Sequence, residues 1–239
     1  MLASPAYASA AAEGAEHSGP LFSIFGLDVS SSTTSLWGII VVLALVAYFA
    51  SRKLERIPTR RLQIAMELAL ESILSFLTGV MGSEKKARQY FPVLASLFII
   101  ILFSNYSGLI PGFGHTPGLK APTSTLSVTA GLAIVVFFAT HYYGVKAHGI
   151  KYFKHFIQPI PFLLPINIIE EFVRPLSLSL RLYGNVYGEE MVIAGLFALL
   201  PLFLPLPMMF LGLLFGFIQA LVFTMLASIY ISTASAEHH

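Results

Sequence analysis

Six charged side chains lie within one largely apolar stretch of the chain. Residues 166–200 hold Glu170, Glu171, Arg174, Arg181, Glu189 and Glu190, together with Asn185. A charge inside hydrocarbon costs about 2.5 to 3.5 kcal/mol on insertion scales, so such residues are functional candidates by default. Carboxyls can relay protons when burial brings their titration towards neutrality. A guanidinium keeps its proton at any physiological pH and cannot relay one. On a helix, Arg181 stands ten residues after Glu171 and nine before Glu190. That spacing puts carboxylates about 15 Å to one side of the guanidinium and about 13 Å to the other. A fixed cation between two sets of titratable groups suits two proton-accessible pathways kept apart by an electrostatic barrier. Arg174 sits at i+4 and i+3 from Glu170 and Glu171 and can simply pair with them. Such pairing would not account for Arg181, seven residues further on, which could instead pair with Glu189 or snorkel.

Three other polar residues fall at comparable depth in apolar runs. Gln219 is the one strongly polar residue in the middle of the last run. It can bond a neighbouring helix, with Arg181 as a candidate neighbour. Asn105 sits towards the far end of the second run and could line an aqueous pathway. His141 lies near the end of the third and reads as interfacial. Patterns of soluble chemistry (HExxH, Walker A, GxGxxG, GxSxG) do not occur. There is no cysteine, which removes disulfides, thiolate metal sites and cysteine nucleophiles.

These residues need elements that hold them in lipid. The chain has 239 residues, 56% hydrophobic and only 11% charged, with a net charge of +2. A soluble domain carries about 25% charged residues, so an ordinary soluble enzyme is excluded and a polytopic membrane protein is implied. The small net charge argues against nucleic acid as a partner. Apolar runs at 36–50, 91–110, 126–143, 191–204 and 208–231 give five spans. Residues 62–82 have apolar positions at helical spacing, with Gln63, Glu67 and Glu71 on another face. They read as an amphipathic helix at the cytoplasmic surface or half-inserted there. Eleven of the fourteen Lys and Arg residues fall on one side if the first three spans alternate. The positive-inside rule makes that side cytoplasmic, with the N-terminus outside and the C-terminus inside.

The fold class expected is an all-α membrane protein: five transmembrane helices plus the cytoplasmic-side amphipathic or half-inserted helix, the last two spans long and strongly tilted. Residues 1–20 read as an external tail and 21–239 as a single polytopic membrane domain, with a tilted hairpin over about 166–233. Residues 111–124, rich in Pro, Gly, Thr and Ser, form an external loop. Pro175 starts the continuous part of the long helix or kinks it. Gly184 and Gly188, and Gly212 and Gly216, permit close backbone approach, either within the chain or to another membrane element.

The run Pro175-Leu-Ser-Leu-Ser-Leu-Arg181-Leu-Tyr-Gly-Asn185-Val-Tyr-Gly-Glu-Glu190 resembles the signature of subunit a of the F-type rotary ATP synthase. The segment Ile218-Gln219-Ala220-Leu-Val-Phe-Thr-Met-Leu-Ala-Ser-Ile-Tyr230 resembles that family's last helix. Asn105-Tyr-Ser-Gly-Leu-Ile-Pro111 and Gln158-Pro-Ile-Pro-Phe-Leu-Leu-Pro165-Ile-Asn carry further similarity. The resemblance runs over roughly residues 20–235.

It implies a stator subunit beside a rotating ring of c subunits, with peripheral-stalk b subunits and the rest of the complex as partners. The membrane would be the bacterial cytoplasmic membrane. Arg181 is then the essential arginine that displaces the ion, most simply a proton, from each passing c-subunit carboxylate and blocks leakage between two offset half-channels. Glu190 would line the external half-channel, Gln219 would lie near the arginine, and Asn185 would support the site. Glu170 or Glu171 would line the cytoplasmic half-channel, and the resemblance does not choose between them. Some members have a small residue where this chain has Glu189, and a histidine near Gly212. Glu189 is therefore taken as a substitute channel carboxylate. No cofactor or metal is expected. The alternatives are a secondary transporter or channel, against which the lack of an inverted repeat counts, and an intramembrane enzyme, for which no nucleophile or metal pair is visible.

Overall fold

The computed structural model describes residues 22–24, 27–52, 61–110, 120–149, 152, 164–199, 203 and 205–236. The expected tail at 1–20, most of the external loop (111–119), the segment 158–163 and the turn at Pro201 lie outside the described residues. The architecture is helical apart from one short antiparallel hairpin, β1 (Phe22–Ile24) with β2 (Leu27–Val29). Among the described residues six helices follow: α1 (Ser31–Ser51), α2 (Arg61–Met81), α3 (Glu84–Ser107), α4 (Leu126–His148), α5 (Leu164–Leu199) and α6 (Pro205–Ala234). A single 3-10 turn, Pro122–Ser124, precedes α4.

α1, α3, α4 and α6 are long and apolar enough to cross a bilayer, and so is the Gln63–Met81 part of α2. α5, with its six charged residues, is not among them. Length still makes α5 a membrane element. Its 36 residues rise about 54 Å, against about 30 Å of hydrocarbon. The 30 residues of α6 rise about 45 Å. Both must incline or run into the interface.

α2 differs from the spans in its flanks. Arg61 stands at its start, and Lys85, Lys86 and Arg88 follow its end. Basic residues at both ends are the flanks expected of a helix lying along one membrane surface, although its composition would let it cross. Gly82, at φ 65, ends α2 in the left-handed region and passes the chain directly into α3. Its amide donates to the Thr78 carbonyl over 2.9 Å.

The core forms where α3 lies along α6, α4 lies along α5, and α2 closes one side. Leu77, Leu94, Ile101, Leu182 and Phe223 are fully or almost fully buried there. Outside it, large apolar side chains face outward, including Val41, Val42, Leu45 and Phe49 of α1. That inverted surface belongs to a protein whose solvent is lipid. α5 is continuous through Pro175. Proline has no N–H to give the carbonyl of Glu171, and the helix carries that gap.

Candidate functional site

The Arg181 side of α5 is open. Arg181 is exposed, and its guanidinium makes no hydrogen bond or ion pair among the described residues. The pairing with Glu189 weighed above does not form. Ser177, Leu180, Gly184 and Asn185 are exposed on the neighbouring turns. A Cβ added at Gly184 or Gly188 would meet nothing within 4 Å, whereas Gly212 and Gly216 on α6 are closely covered. The two small-residue pairs thus divide their work. Those of α6 pack this chain, and those of α5 lie on a free surface around the arginine.

One turn beyond Arg181, the Asn185 amide donates to Gln219 Oε1 over 2.7 Å and ties α5 to α6. Gln219 is 5% exposed. Its partner is therefore Asn185 and not Arg181, the neighbour the sequence suggested. The amide sits one helical turn from the arginine, since i and i+4 share a face, and leaves the guanidinium unengaged.

Towards one end of the bundle, α3, α5, α6 and the 3-10 turn converge on a set of polar atoms. Asn105 is buried and donates through Nδ2 to the Gly216 carbonyl over 2.9 Å. Its Oδ1, together with Ser104 Oγ, Thr123 Oγ1 and Glu189 Oε1, is buried with no hydrogen-bond partner among the described residues. Glu189 lies hard against Gly212, where any Cβ would overlap its carboxylate. The carboxylate does stand on the helix opposite the glycine, as the departure from some members suggested. Glu190 interacts with the Ser124 hydroxyl and with the charge of Lys120. A Cβ on Gly108 would come within 3.6 Å of its Oε1. Buried polar atoms are costly unless water or an ion satisfies them. Several oxygens in this state around two carboxyls give this end of the bundle a polar lining of the kind that bound water satisfies. Ser104, Thr123 and Ser124 are residues the sequence did not single out. Ser104 was legible only as Asn105's neighbour, and the other two sit in what reads as a plain polar loop.

Towards the other end lies a second polar group. Arg174 Nη2 reaches Glu170 Oε1 at 2.7 Å, and Nη1 reaches Glu171 Oε1 at 2.9 Å, so the simple pairing considered for Arg174 is present. The two glutamates are not equivalent. The Glu170 side chain is 57% exposed and the Glu171 side chain 18%. Glu171 turns towards α4, where His141 Nε2 stands 3.9 Å from its Oε2. Arg174 also lies over the Tyr230 ring of α6 at 5.5 Å. His141 is half-buried among these groups, more enclosed than the interfacial position read from sequence.

A profile of the family described as ATP synthase A chain matches residues 33–232. That match takes in α2 to α5, all but the outer ends of α1 and α6, and both polar groups. The chain belongs to the ATP synthase A chain family. Among its relatives in that family, ATP synthase subunit a 1 of Syntrophotalea carbinolica is 47% identical over 210 residues, 86% of each chain. ATP synthase subunit a of Moorella thermoacetica is 43% identical over 219 residues, 91% of this chain and 96% of its own. The subunit a of Geobacter sulfurreducens is 45% identical over 207 residues, covering 85% and 86%. Among members of the ATP synthase A chain family, this one joins an open arginine on α5 to polar clusters above and below it.

Proposed function

We propose that this chain is the ion-translocating stator subunit of an F-type ATP synthase, and that Arg181 separates two half-channels serving a ring of c subunits. The observation that carries this reading is the free guanidinium of Arg181 on an open face of α5, between a polar cluster at each end of the bundle. A buried charge without a partner is strongly unfavourable. In the membrane, an acidic group on a neighbouring subunit is the natural counter-charge.

The mechanism follows from charge. An ionised ring carboxylate is attracted to Arg181, and a protonated one is not. As each carboxyl approaches, the arginine favours its ionised form and the proton leaves. Because a guanidinium does not lose its own proton, none hops across it. Protons from outside arrive through Glu190, Glu189 and Asn105, lined by Ser104, Thr123 and Ser124. They depart to the cytoplasm past Glu171, whose inward orientation supports it over the exposed Glu170 as the pathway residue. Asn185 and Gln219 hold α5 and α6 in register beside the arginine. Each charge moved through 100 mV releases about 2.3 kcal/mol, so several must be coupled to rotation for each synthesis step.

The subunit sits in the bacterial cytoplasmic membrane, with the N-terminus outside and the C-terminus in the cytoplasm. The c-ring and the peripheral-stalk b subunits are its neighbours. Arg181→Ala in the whole complex is expected to leave assembly intact and abolish ATP-driven proton pumping, measured by dye quenching in inverted vesicles. Normal coupled pumping by that variant would refute the reading.

A further inference from the structure

We propose that His141 and Glu171 act as a single proton-exchanging pair at the cytoplasmic pathway, with His141 as the group that takes protons from, and returns them to, the cytoplasmic solution. The proposal rests on the stator reading above and adds a residue to it.

The geometry assigns the protons. His141 Nδ1 lies 2.9 Å from the Phe137 carbonyl oxygen. A carbonyl only accepts, so Nδ1 carries the hydrogen and Nε2 is left to face Glu171 Oε2 at 3.9 Å. A bare imidazole nitrogen and a bare carboxylate oxygen facing each other repel. One proton between them removes the repulsion, either as imidazolium with carboxylate or as imidazole with carboxylic acid. The pair is thus built to hold one mobile proton between its two members.

Its surroundings fit that task. Facing it are Arg174 and Glu170 from α5, Tyr230 from α6, and Tyr152 just beyond α4. Burial first, and the charge of Glu171 second, push the Tyr152 phenol up to about 12, so it stays protonated and neutral. Arg174 stays charged, and its ion pair with Glu171 does not occupy Oε2, since it uses Oε1. A cavity of about 10 Å³ adjoins Glu171, with Thr140, Arg174, Leu178 and Tyr230 also in its wall. That volume is about one water's worth. His141 is seven residues from the end of α4, about 10 Å along the axis, and its side chain is 23% exposed, which leaves the ring open on one side.

In ATP-driven pumping, a buffer acid or hydronium gives its proton to Nε2. The proton moves to Oε2, leaving neutral imidazole and a carboxylic acid, and the ring carboxylate then takes it. Synthesis runs the same transfers backwards. An imidazole in water changes charge near about pH 6.5 and a carboxyl near about 4.3. Without the ring, capture depends on a carboxyl alone and fails sooner as the bath becomes alkaline.

The test uses the complete ATP synthase in inverted vesicles, with pumping per assembled complex recorded against the pH of the cytoplasm-facing bath. His141→Gln should cut pumping roughly tenfold on the alkaline limb and by less than about twofold on the acid limb. In a Glu171→Gln background, the same change should add nothing. A His141→Gln profile superimposable on the parent overturns the proposal, as does full additivity with Glu171→Gln. Where His141→Gln assembles poorly, infrared difference spectra of the parent complex against Glu171→Gln replace it. Carboxyl and imidazole bands that change together support the pair, and a carboxyl band that titrates without any imidazole change overturns it. Arg181→Ala runs alongside. If it pumps normally the stator reading fails, and if it is dead while His141→Gln is unchanged only the present proposal fails.

Discussion

At the scale of single residues, the account turns on side chains that lack a partner among the described residues. Arg181 is one, and Glu189 Oε1 is another. The Glu189 carboxylate fills the space that a side chain at position 212 would need. Gly212→Ala is therefore expected to force α5 and α6 apart or to displace the carboxylate, at a cost of about 1–3 kcal/mol, and to slow pumping. Glu189→Gly in the same chain should relieve the overlap and restore assembly and thermal stability of the complex. A Gly212→Ala variant with unchanged stability, or one that Glu189→Gly does not rescue, would show that the contact is unimportant. Residue types were readable from the sequence and contacts largely were not. Six charges in an apolar stretch declared a site. The choice of Asn185 as the partner of Gln219, 34 positions away in the sequence, depends on how α5 and α6 lie together, which no local pattern encodes. The same holds for Glu171 turning inward while its neighbour Glu170 stays exposed, since adjacent positions on a helix point about 100° apart and only packing decides which one meets α4.

At the scale of elements, apolar runs and helical spacing located the helices of the described residues, and their ends less closely. The spans read at 91–110 and 126–143 became Glu84–Ser107 and Leu126–His148. The earlier start of α3 reflects its charged first turns, which hydropathy hides but which the helix still includes. The long helix that opens the hairpin read over about 166–233 is α5, Leu164–Leu199, continuous through Pro175. α2 was legible as a helix from its periodicity, while its packing was not. Leu77 is wholly buried against the core. Leu77→Ala should cost about 2–5 kcal/mol and lower the thermal stability of the detergent-extracted complex, with the pumping rate per surviving complex nearly unchanged. A parent-like melting temperature would mean that α2 does not help to hold the bundle together.

At the scale of the molecule, the chain is a frame with many exposed apolar side chains, and Arg181 faces outward from its long helix α5. Lipid covers most of that surface, including nearly all of α1. The stripe around Arg181 differs because it joins small residues to a permanent charge, and lipid satisfies such a charge poorly. A neighbouring acidic helix satisfies it well. The chain contains no cysteine, so one can be placed at will. With a second cysteine beside the ring carboxylate of the c subunit, mild oxidation of the assembled, active complex should join Gly184→Cys to the ring and leave Val42→Cys on α1 unjoined. A ring that cross-links to Val42→Cys and not to Gly184→Cys would contradict the central claim that the Arg181 face of α5 meets the moving carboxylates.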